Sequence, residues 1–416
     1  MSPDVELAGY AELRGAGFLG VDGAPWSVQE RLRPVFEAAV AERVNVEAVV
    51  EARWAQGRHN PSVINELLAD SSLGPDLKGA GCDLSAPARY EEVSDYLSVE
   101  RLRLDVNLPA VDLKIGRQAI TWGSALVVHP TDPFPEVLAL DPGKERAGVQ
   151  AVRAEVPVGA HQVSALVAVG DDLSTFHADD TKFEDLPFTG AGRFTVRALE
   201  ADWSAVAWGR PDGVWFGGAD LRGTLGVGWW VEGGWHGAEE APEVVVGIDY
   251  SFPVAEQLYV AAEYRYDGTG AEPEAYDWAA RGGGITVPSS CAVFSAPATA
   301  EETNSAPRFT LGQHYAHGIL NVRLTEELAV STAAVVNLKD TTGILVPDVS
   351  YNLGTNAVIH LGAQVPFGED GEFRPDPSEL TASFGGLPPD KAVALADVID
   401  GMLFDASINA WLRYSF

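Results

Sequence analysis

The segment Asp405 to Phe416 alternates without a break between two kinds of side chain. Ala406, Ile408, Ala410, Leu412, Tyr414 and Phe416 take one set of positions; Asp405, Ser407, Asn409, Trp411, Arg413 and Ser415 take the other. A period of two sends successive side chains to opposite sides of an extended strand, so this segment reads as a β-strand with two unlike faces. The pattern returns along the chain. Asn45 to Gln56 sets Val46, Ala48, Val50, Ala52 and Trp54 against Asn45, Glu47, Glu51 and Arg53. Ser27 to Val40 sets Val28, Leu32, Phe36, Ala38 and Val40 against Gln29, Arg31, Arg33 and Glu37. Arg101 to Leu108, Tyr259 to Asp267 and Asn356 to Val365 alternate in the same way. The fold class is all-β.

Two all-β solutions meet this pattern. A soluble sandwich packs its apolar faces inward. A transmembrane antiparallel barrel turns them out to lipid and keeps the polar faces on a wet interior. The apolar faces here hold many alanines and scattered aromatics, which suits lipid contact better than a close-packed core. The polar faces carry Arg, Glu and Asp in mid-strand. Trp26, Trp54, Tyr96, Trp122, Trp229, Trp235, Tyr250, Tyr351 and Tyr414 fall near strand ends, where a membrane barrel places aromatic girdles. The ordinary strand preference of aromatic residues would also put them in strands. Hydrophobic residues make up 46% of the 416 positions, yet no run approaches the ~18 apolar residues of a spanning helix. The net charge of −32 opposes nucleic-acid binding, because phosphate would be repelled.

The alternation predicts about eighteen strands, starting near residues 5, 27, 44, 93, 110, 145, 161, 190, 201, 213, 225, 243, 257, 307, 327, 343, 355 and 404. The count falls to sixteen if the glycine-rich stretch Val214 to Trp235 is divided differently. Tight connections are expected at Ala41-Glu42-Arg43, Leu108-Pro109-Ala110, Pro157-Val158-Gly159, Glu200-Ala201, Asp220-Leu221-Arg222-Gly223, Phe252-Pro253-Val254-Ala255, Thr325-Glu326 and Gly354-Thr355. Long ones are expected at 58–91, 123–143, 171–188, 268–306 and 368–402. Strand parity puts every long segment at one end and every one of these tight turns at the other. Outer-membrane barrels sort their connections this way, with short periplasmic turns and long outer loops. Residues 1–416 therefore read as a single barrel domain. Pro34 would remove a ladder bond in mid-strand. Glu30 and Glu100 fall on apolar faces, which places them near a rim or beside a bulge.

The chain stops at Phe416, with Tyr414 two residues before it and apolar residues at alternate positions upstream. This resembles the C-terminal signature of bacterial outer-membrane barrels. The resemblance implies a porin-like barrel in the bacterial outer membrane, among lipid and lipopolysaccharide. Met1-Ser2-Pro3-Asp4 lead directly into alternating sequence; an exported barrel needs a secretory signal, so the expectation is that one has been removed, the alternative from these residues alone being a cytosolic protein that never had one.

Parity assigns Arg31, Arg33, Arg53, Arg101, Arg103, Lys114, Arg153, Arg193 and Arg197 to the interior, with Glu47, Glu51, Asp105, Asp112 and Glu155. In a water-filled pore these would set a transverse field and bias permeation. They could equally pair across strands and support the wall. Segment 123–143 is apolar and proline-rich for an exposed loop. It is the third outer loop by count. This resembles general porins, whose third loop folds into the barrel and narrows it; the resemblance implies that His129, Asp132 and Glu136 line a constriction. Gly116-Arg117-Gln118, Trp122-Gly123 and His129-Pro130-Thr131-Asp132 are also similar to a recurring element of porin-like barrels. A loop folded over the rim is the alternative.

Cys82 and Cys291 fall in two of the long segments and form a disulfide candidate outside the cytoplasm. Asp171, Asp172, Asp179, Asp180, Glu184 and Asp185 crowd one loop and could hold Ca²⁺, although a solvated acidic loop explains them as well. No other cofactor or metal is indicated. Pro389 to Gly401 reads as a loop helix, and Asn60-Pro61 opens a second ending near Leu68. His314 and His317 should lie on opposite faces of one strand. No nucleophile elbow, zinc-protease motif, Walker loop or Cys-x-x-Cys pair is present, so the chain is not read as an enzyme. Two functions remain: a channel for passive diffusion of small polar or charged solutes, or a structural barrel that docks a lipoprotein or surface complex; the partners expected are small solutes, with a homo-oligomer or a lipoprotein as further candidates.

Overall fold

Each alternating segment pairs with its neighbour in sequence, and the pairing continues until the chain meets its own beginning. The computed structural model describes residues 4–20, 25–58, 71–72, 74–79, 96–134, 143–169, 188–276, 310–378, 393, 396 and 405–416. Its strands are β1 (Asp4–Leu19), β2 (Trp26–Ala41), β3 (Val44–Arg58), β4 (Tyr96–Asn107), β5 (Asp112–Gln118), β6 (Val149–Val158), β7 (His161–Val169), β8 (Phe188–Ala198) and β9 (Ala201–Gly209). They continue as β10 (Trp215–Thr224), β11 (Gly228–His236), β12 (Ala241–Phe252), β13 (Gln257–Asp267), β14 (His314–Arg323), β15 (Leu328–Asn337), β16 (Gly343–Leu353), β17 (Ala357–Phe367) and β18 (Ala406–Ser415). Consecutive strands pair antiparallel and β1 pairs with both β2 and β18, so the 18-stranded sheet is closed. A short helix, Gly74–Gly79, lies between β3 and β4. Among the described residues no helix is long and apolar enough to cross a membrane.

The closing seam is held by backbone and side chains together. The Phe416 amide donates to the Gly9 carbonyl at 3.0 Å, and the Gly9 amide to the Phe416 carbonyl at 3.1 Å. Gly9 has φ +148°, and a Cβ there would lie 2.4 Å from the Arg33 carbonyl oxygen on β2. On the inner side Arg413 donates to Glu12 at 2.9 and 2.6 Å. Its guanidinium stands 4.2 Å from the Tyr10 ring centroid.

The two faces of the sheet are the reverse of a soluble protein's. Leu13, Val28, Phe36, Val152, Val167, Val246, Ile248, Leu361 and Leu412 are exposed on the outside. Glu12, Arg31, Arg33, Glu51, Glu232, Glu263 and Arg265 are buried on the inside. Lipid resolves this inversion: an apolar outer band is at home in hydrocarbon, and a closed ladder leaves no unpaired strand edge there. Trp203, Tyr250, Phe252, Tyr351, Tyr414 and Phe416 are exposed near the short-turn end, and Trp26, Trp54, Trp215 and Trp235 near the other. Trp122 departs from the girdle expected for it. It is buried inside, where the chain leaving β5 turns into the barrel.

The irregular positions resolve individually. Val49 pairs with Arg101 and Val50 with Val99, so Glu100 is the extra residue of a bulge, and it accepts a 2.5 Å bond from Ser98. Glu30 stays on the outer face, opposite Leu13 and Trp54 and hence level with the upper girdle. The rungs at Arg33 and Pro34 are missing from the β2–β3 ladder, although the register on either side is unbroken. Asp220-Leu221-Arg222-Gly223 is not a turn. It belongs to β10, and the turn is at 225–227. Asp220 and Arg222 are polar because they face inward, which imitates turn composition. His314 and His317 do take opposite faces: His314 meets Tyr264 outside and His317 meets Glu263 inside.

Cys82, Cys291, Glu136, the acidic loop from Asp171 to Asp185 and the stretch from Asn60 to Leu68 lie outside the described residues. So does the 389–401 helix, apart from helical Val393 and Ala396.

Gly9→Ala should loosen the seam. A Cβ meeting backbone at 2.4 Å costs about 1–3 kcal/mol, to be read as a lower urea midpoint for loss of the heat-modifiable folded band on gels.

Candidate functional site

The β5–β6 connection does not leave the barrel. Gln118 ends β5 with its side-chain amide on the Ala151 carbonyl, at 3.1 Å. Ile120 and Trp122 then pack on Ala151, Leu166, Ala168 and Val206, from β6, β7 and β9. Ala125 packs on Trp230, Val245 and Ala261, from β11 to β13. Val127 packs on Tyr315, Val335 and Val346, from β14 to β16. Residues 119–134 thus run along the inner wall across about half the sheet. Burying each of the larger apolar side chains contributes about 1.5–3 kcal/mol.

An irregular segment leaves its amides unpaired, and burying them costs free energy unless they find acceptors. Two glutamates of the wall provide these. Glu232 on β11 receives the amides of Ser124 (2.8 Å) and Ala125 (2.9 Å) on Oε2, and the Thr131 amide (2.9 Å) and hydroxyl (2.8 Å) on Oε1. Glu263 on β13 receives the Leu126 amide (2.8 Å) and the Trp230 indole N–H (2.9 Å) on Oε2, with His317 Nδ1 2.7 Å from Oε1. Both carboxylate side chains are 0% exposed. Among the described residues neither has a Lys or Arg within ion-pair distance. Gly123 lets the segment come this close: its φ is +97° and a Cβ would sit 2.4 Å from Glu232 Oε1.

His129 and Asp132 lie in this segment. His129 Nδ1 is 3.9 Å from Glu232 Oε2. Burial, reinforced by the Arg146 guanidinium and opposed by Glu263, pushes His129 down to about 4, so the ring is neutral at pH 7. Asp132 is buried and paired with Arg146. Burial lifts it to about 6 against the pull of Arg146 and the Phe134 amide, which leaves it mainly ionised at pH 7.

The returning chain rests on β1–β3. Glu51 gathers Arg31 (2.8 Å), Arg33 (2.7 Å) and Arg53 (3.0 Å). Arg31 also donates to the Gly143 carbonyl at 3.1 Å. Glu145 meets Arg33 at 3.0 Å and accepts from the Tyr10 hydroxyl at 2.8 Å. Farther round, Glu47 holds Arg103 (2.7 Å) and Arg101 (3.5 Å), Asp105 holds Arg103 (2.8 Å), and Glu155 holds Lys114 (3.3 Å) and Arg153. Asp112 stands opposite Glu155 in the ladder. Arg193 on β8 meets Asp220 at 2.7 Å. Arg197 stands apart at the short-turn rim, largely exposed and 3.2 Å from Asp202. Side chains placed inward by parity therefore do pair across strands.

The pairing is unequal in depth. Arg53, Arg101, Arg103, Lys114, Arg153 and Arg193 keep 18–30% of their side chains exposed, while Glu47, Glu51 and Glu155 keep 2–13%. At these pairs the carboxylate is the deeper partner; at Arg33–Glu145 the order is reversed, with Arg33 4% and Glu145 32% exposed. Sequence reading missed Glu12, Glu145, Arg146 and Glu232, and put Arg413 on a polar face without giving it a partner. It put Glu263 on a polar face without linking it to the segment. The available signal was the inward parity of Glu232 beside Trp230, obscured by the uncertain division of β10 and β11. Among the described residues no group of His, Cys, Asp or Glu is placed to hold a metal ion.

No family model matches the chain, and no curated protein matches it by sequence. Among solved structures, OccK5 (OpdH) of Pseudomonas aeruginosa aligns over 100% of this chain and 98% of its own, with TM-score 0.54 and 8% identity. OpdQ of the same organism aligns over 99% of each chain, with TM-score 0.54 and 9% identity. OccK3 (OpdO), also from P. aeruginosa, covers 100% of this chain and 96% of its own, with TM-score 0.50 and 12% identity. The likeness is one of fold across the whole barrel.

Glu51→Ala removes the acceptor shared by Arg31, Arg33 and Arg53. Leaving buried guanidinium groups without their counter-charge should cost about 3–5 kcal/mol, checked by equilibrium unfolding in detergent. Substitution of the exposed Arg197 should stay within about 0.5 kcal/mol in the same assay.

Proposed function

We propose that the chain is a channel of the bacterial outer membrane through which small polar or charged solutes diffuse passively. One observation carries this reading: inside a closed barrel with an apolar exterior, a row of cationic side-chain tips remains in contact with water. A barrel serving only as an anchor has no use for a hydrated, charged interior. In this reading the short turns face the periplasm, the long connections face outward, and lipid and lipopolysaccharide surround the apolar band. Residues 119–134 narrow the passage, with His129 and Asp132 in the narrowing segment. Arg53, Arg101, Arg103, Lys114, Arg153 and Arg193 line the open side.

The depth difference between cations and acids favours anions. Along β3 to β8 a solute carboxylate or phosphate meets the more exposed cationic groups before the deeper carboxylates, and fixed charges lining a pore bias what passes. The selectivity is thus opposite to what the net charge of −32 alone would suggest. The reading of the chain as a docking barrel rested on Cys82, Cys291 and the 389–401 helix, and no described residue adds to it.

Purified protein in planar bilayers should give discrete conductance steps, with a reversal potential on the anion side in a KCl gradient. Replacing Arg101, Arg153 and Arg193 together by Gln should move that potential toward cations. A barrel that inserts and conducts nothing would refute the channel. A reversal potential unmoved by the triple replacement would refute the assignment of the lining.

A further inference from the structure

The geometry points to Glu232 and Glu263 as the residues that decide which charge a passing solute meets, because they hold the narrowing segment over themselves. This rests on the channel reading and adds specificity-determining residues to it. Next to the cationic row, β10 to β13 carry Asp220, Glu232 and Glu263 inward, together with Arg222 and with Arg265, which is paired to Glu243 and Asp267. Left uncovered, Asp220, Glu232 and Glu263 would add acidic groups to a lumen lined by the guanidinium row, and the pore would present both signs. They are not uncovered. Asp220 is taken up by Arg193. Glu232 and Glu263 are spent on the amides of residues 124, 125, 126 and 131, with His317 beside Glu263 and His129 near Glu232. Their carboxyl oxygens are met by N–H groups and removed from water, which takes two acids out of the view of a passing solute. The two glutamates fix the aperture and its sign in one act. They attract the segment, and the segment hides them.

The register offers a direct test. Gln118 stands opposite Val149, so a short Gly-Ser turn can replace residues 120–147 without breaking the β5–β6 ladder. In bilayers this shortened barrel should conduct more than the full chain, and its reversal potential should move toward cations. Adding Glu232→Gln and Glu263→Gln to the shortened barrel should return the potential toward anions. That comparison isolates the two carboxylates from the charges lost with the segment, and a purely structural role would not move it. An unchanged potential on adding the Gln pair overturns the proposal.

In the full chain, Glu232→Gln keeps the size of the side chain but turns an amide donor toward groups that all donate. Hydrogen exchange of the peptide covering residues 119–134 should then speed up at least severalfold, while exchange of β-strand peptides stays the same. Unchanged exchange in both Glu232→Gln and Glu263→Gln overturns the pinning. The exchange measurement does not depend on conduction, so it still reads the hold on the segment if the barrel proves silent in bilayers.

Discussion

Backbone hydrogen bonding in hydrocarbon is the constraint from which the rest of this structure follows. A peptide N–H or C=O facing lipid without a partner costs several kcal/mol, so a sheet that crosses a membrane has to close. Here closure falls to the two termini, where Gly9 and Phe416 exchange amide bonds and Arg413 ties β18 to Glu12 on β1. Once the ladder is closed, the face of every side chain is set by parity. The alternation of apolar and charged residues then becomes an outside and an inside with no freedom left. Charges in mid-strand have only the interior to go to.

That interior uses carboxylates in two physically different ways. Glu51 sits among three guanidinium groups, and its charge is neutralised by charge. Glu232 sits among three amides and a hydroxyl, and its oxygens are met by neutral donors. The first arrangement builds wall and leaves cationic tips facing water. The second attaches a segment that no strand pairing could hold. Net charge says little about either. Much of the acidity lies in connections such as the run from Asp171 to Asp185, whereas the lumen is shaped by which partner of each ion pair lies deeper.

The barrel was readable because period-two alternation is a local property. The strand starts and the sorting of tight from long connections follow from it, and so does the bulge at Glu100, where an acid fell on the wrong face. The same local rule failed where two features share one signature. Asp220 and Arg222 look like a turn and are inward-facing strand residues. Trp122 looks like a girdle residue and is buried inside. The composition of 123–143 marked that segment as unusual, but the partnership of Ser124, Ala125 and Thr131 with Glu232 joins positions about a hundred residues apart. No periodicity in a single sequence encodes which inward-facing acid on a distant strand will meet which loop amide.

The segment and the wall nevertheless specify each other. Ile120, Trp122, Ala125 and Val127 supply apolar contact along the wall, and contact of that kind is tolerant of sliding. The amides are not: each needs an acceptor at hydrogen-bond distance, and a carboxylate offers several acceptor directions from one point. Glu232 therefore fixes the position that the apolar contacts leave loose. Gly123 is its counterpart in the segment, since any Cβ there would intrude on the carboxylate. A glutamate in a glycine-rich strand and a glycine in an apolar loop are each out of place alone. Together they are the two halves of one joint, and its placement leaves the charged side of the lumen in contact with water.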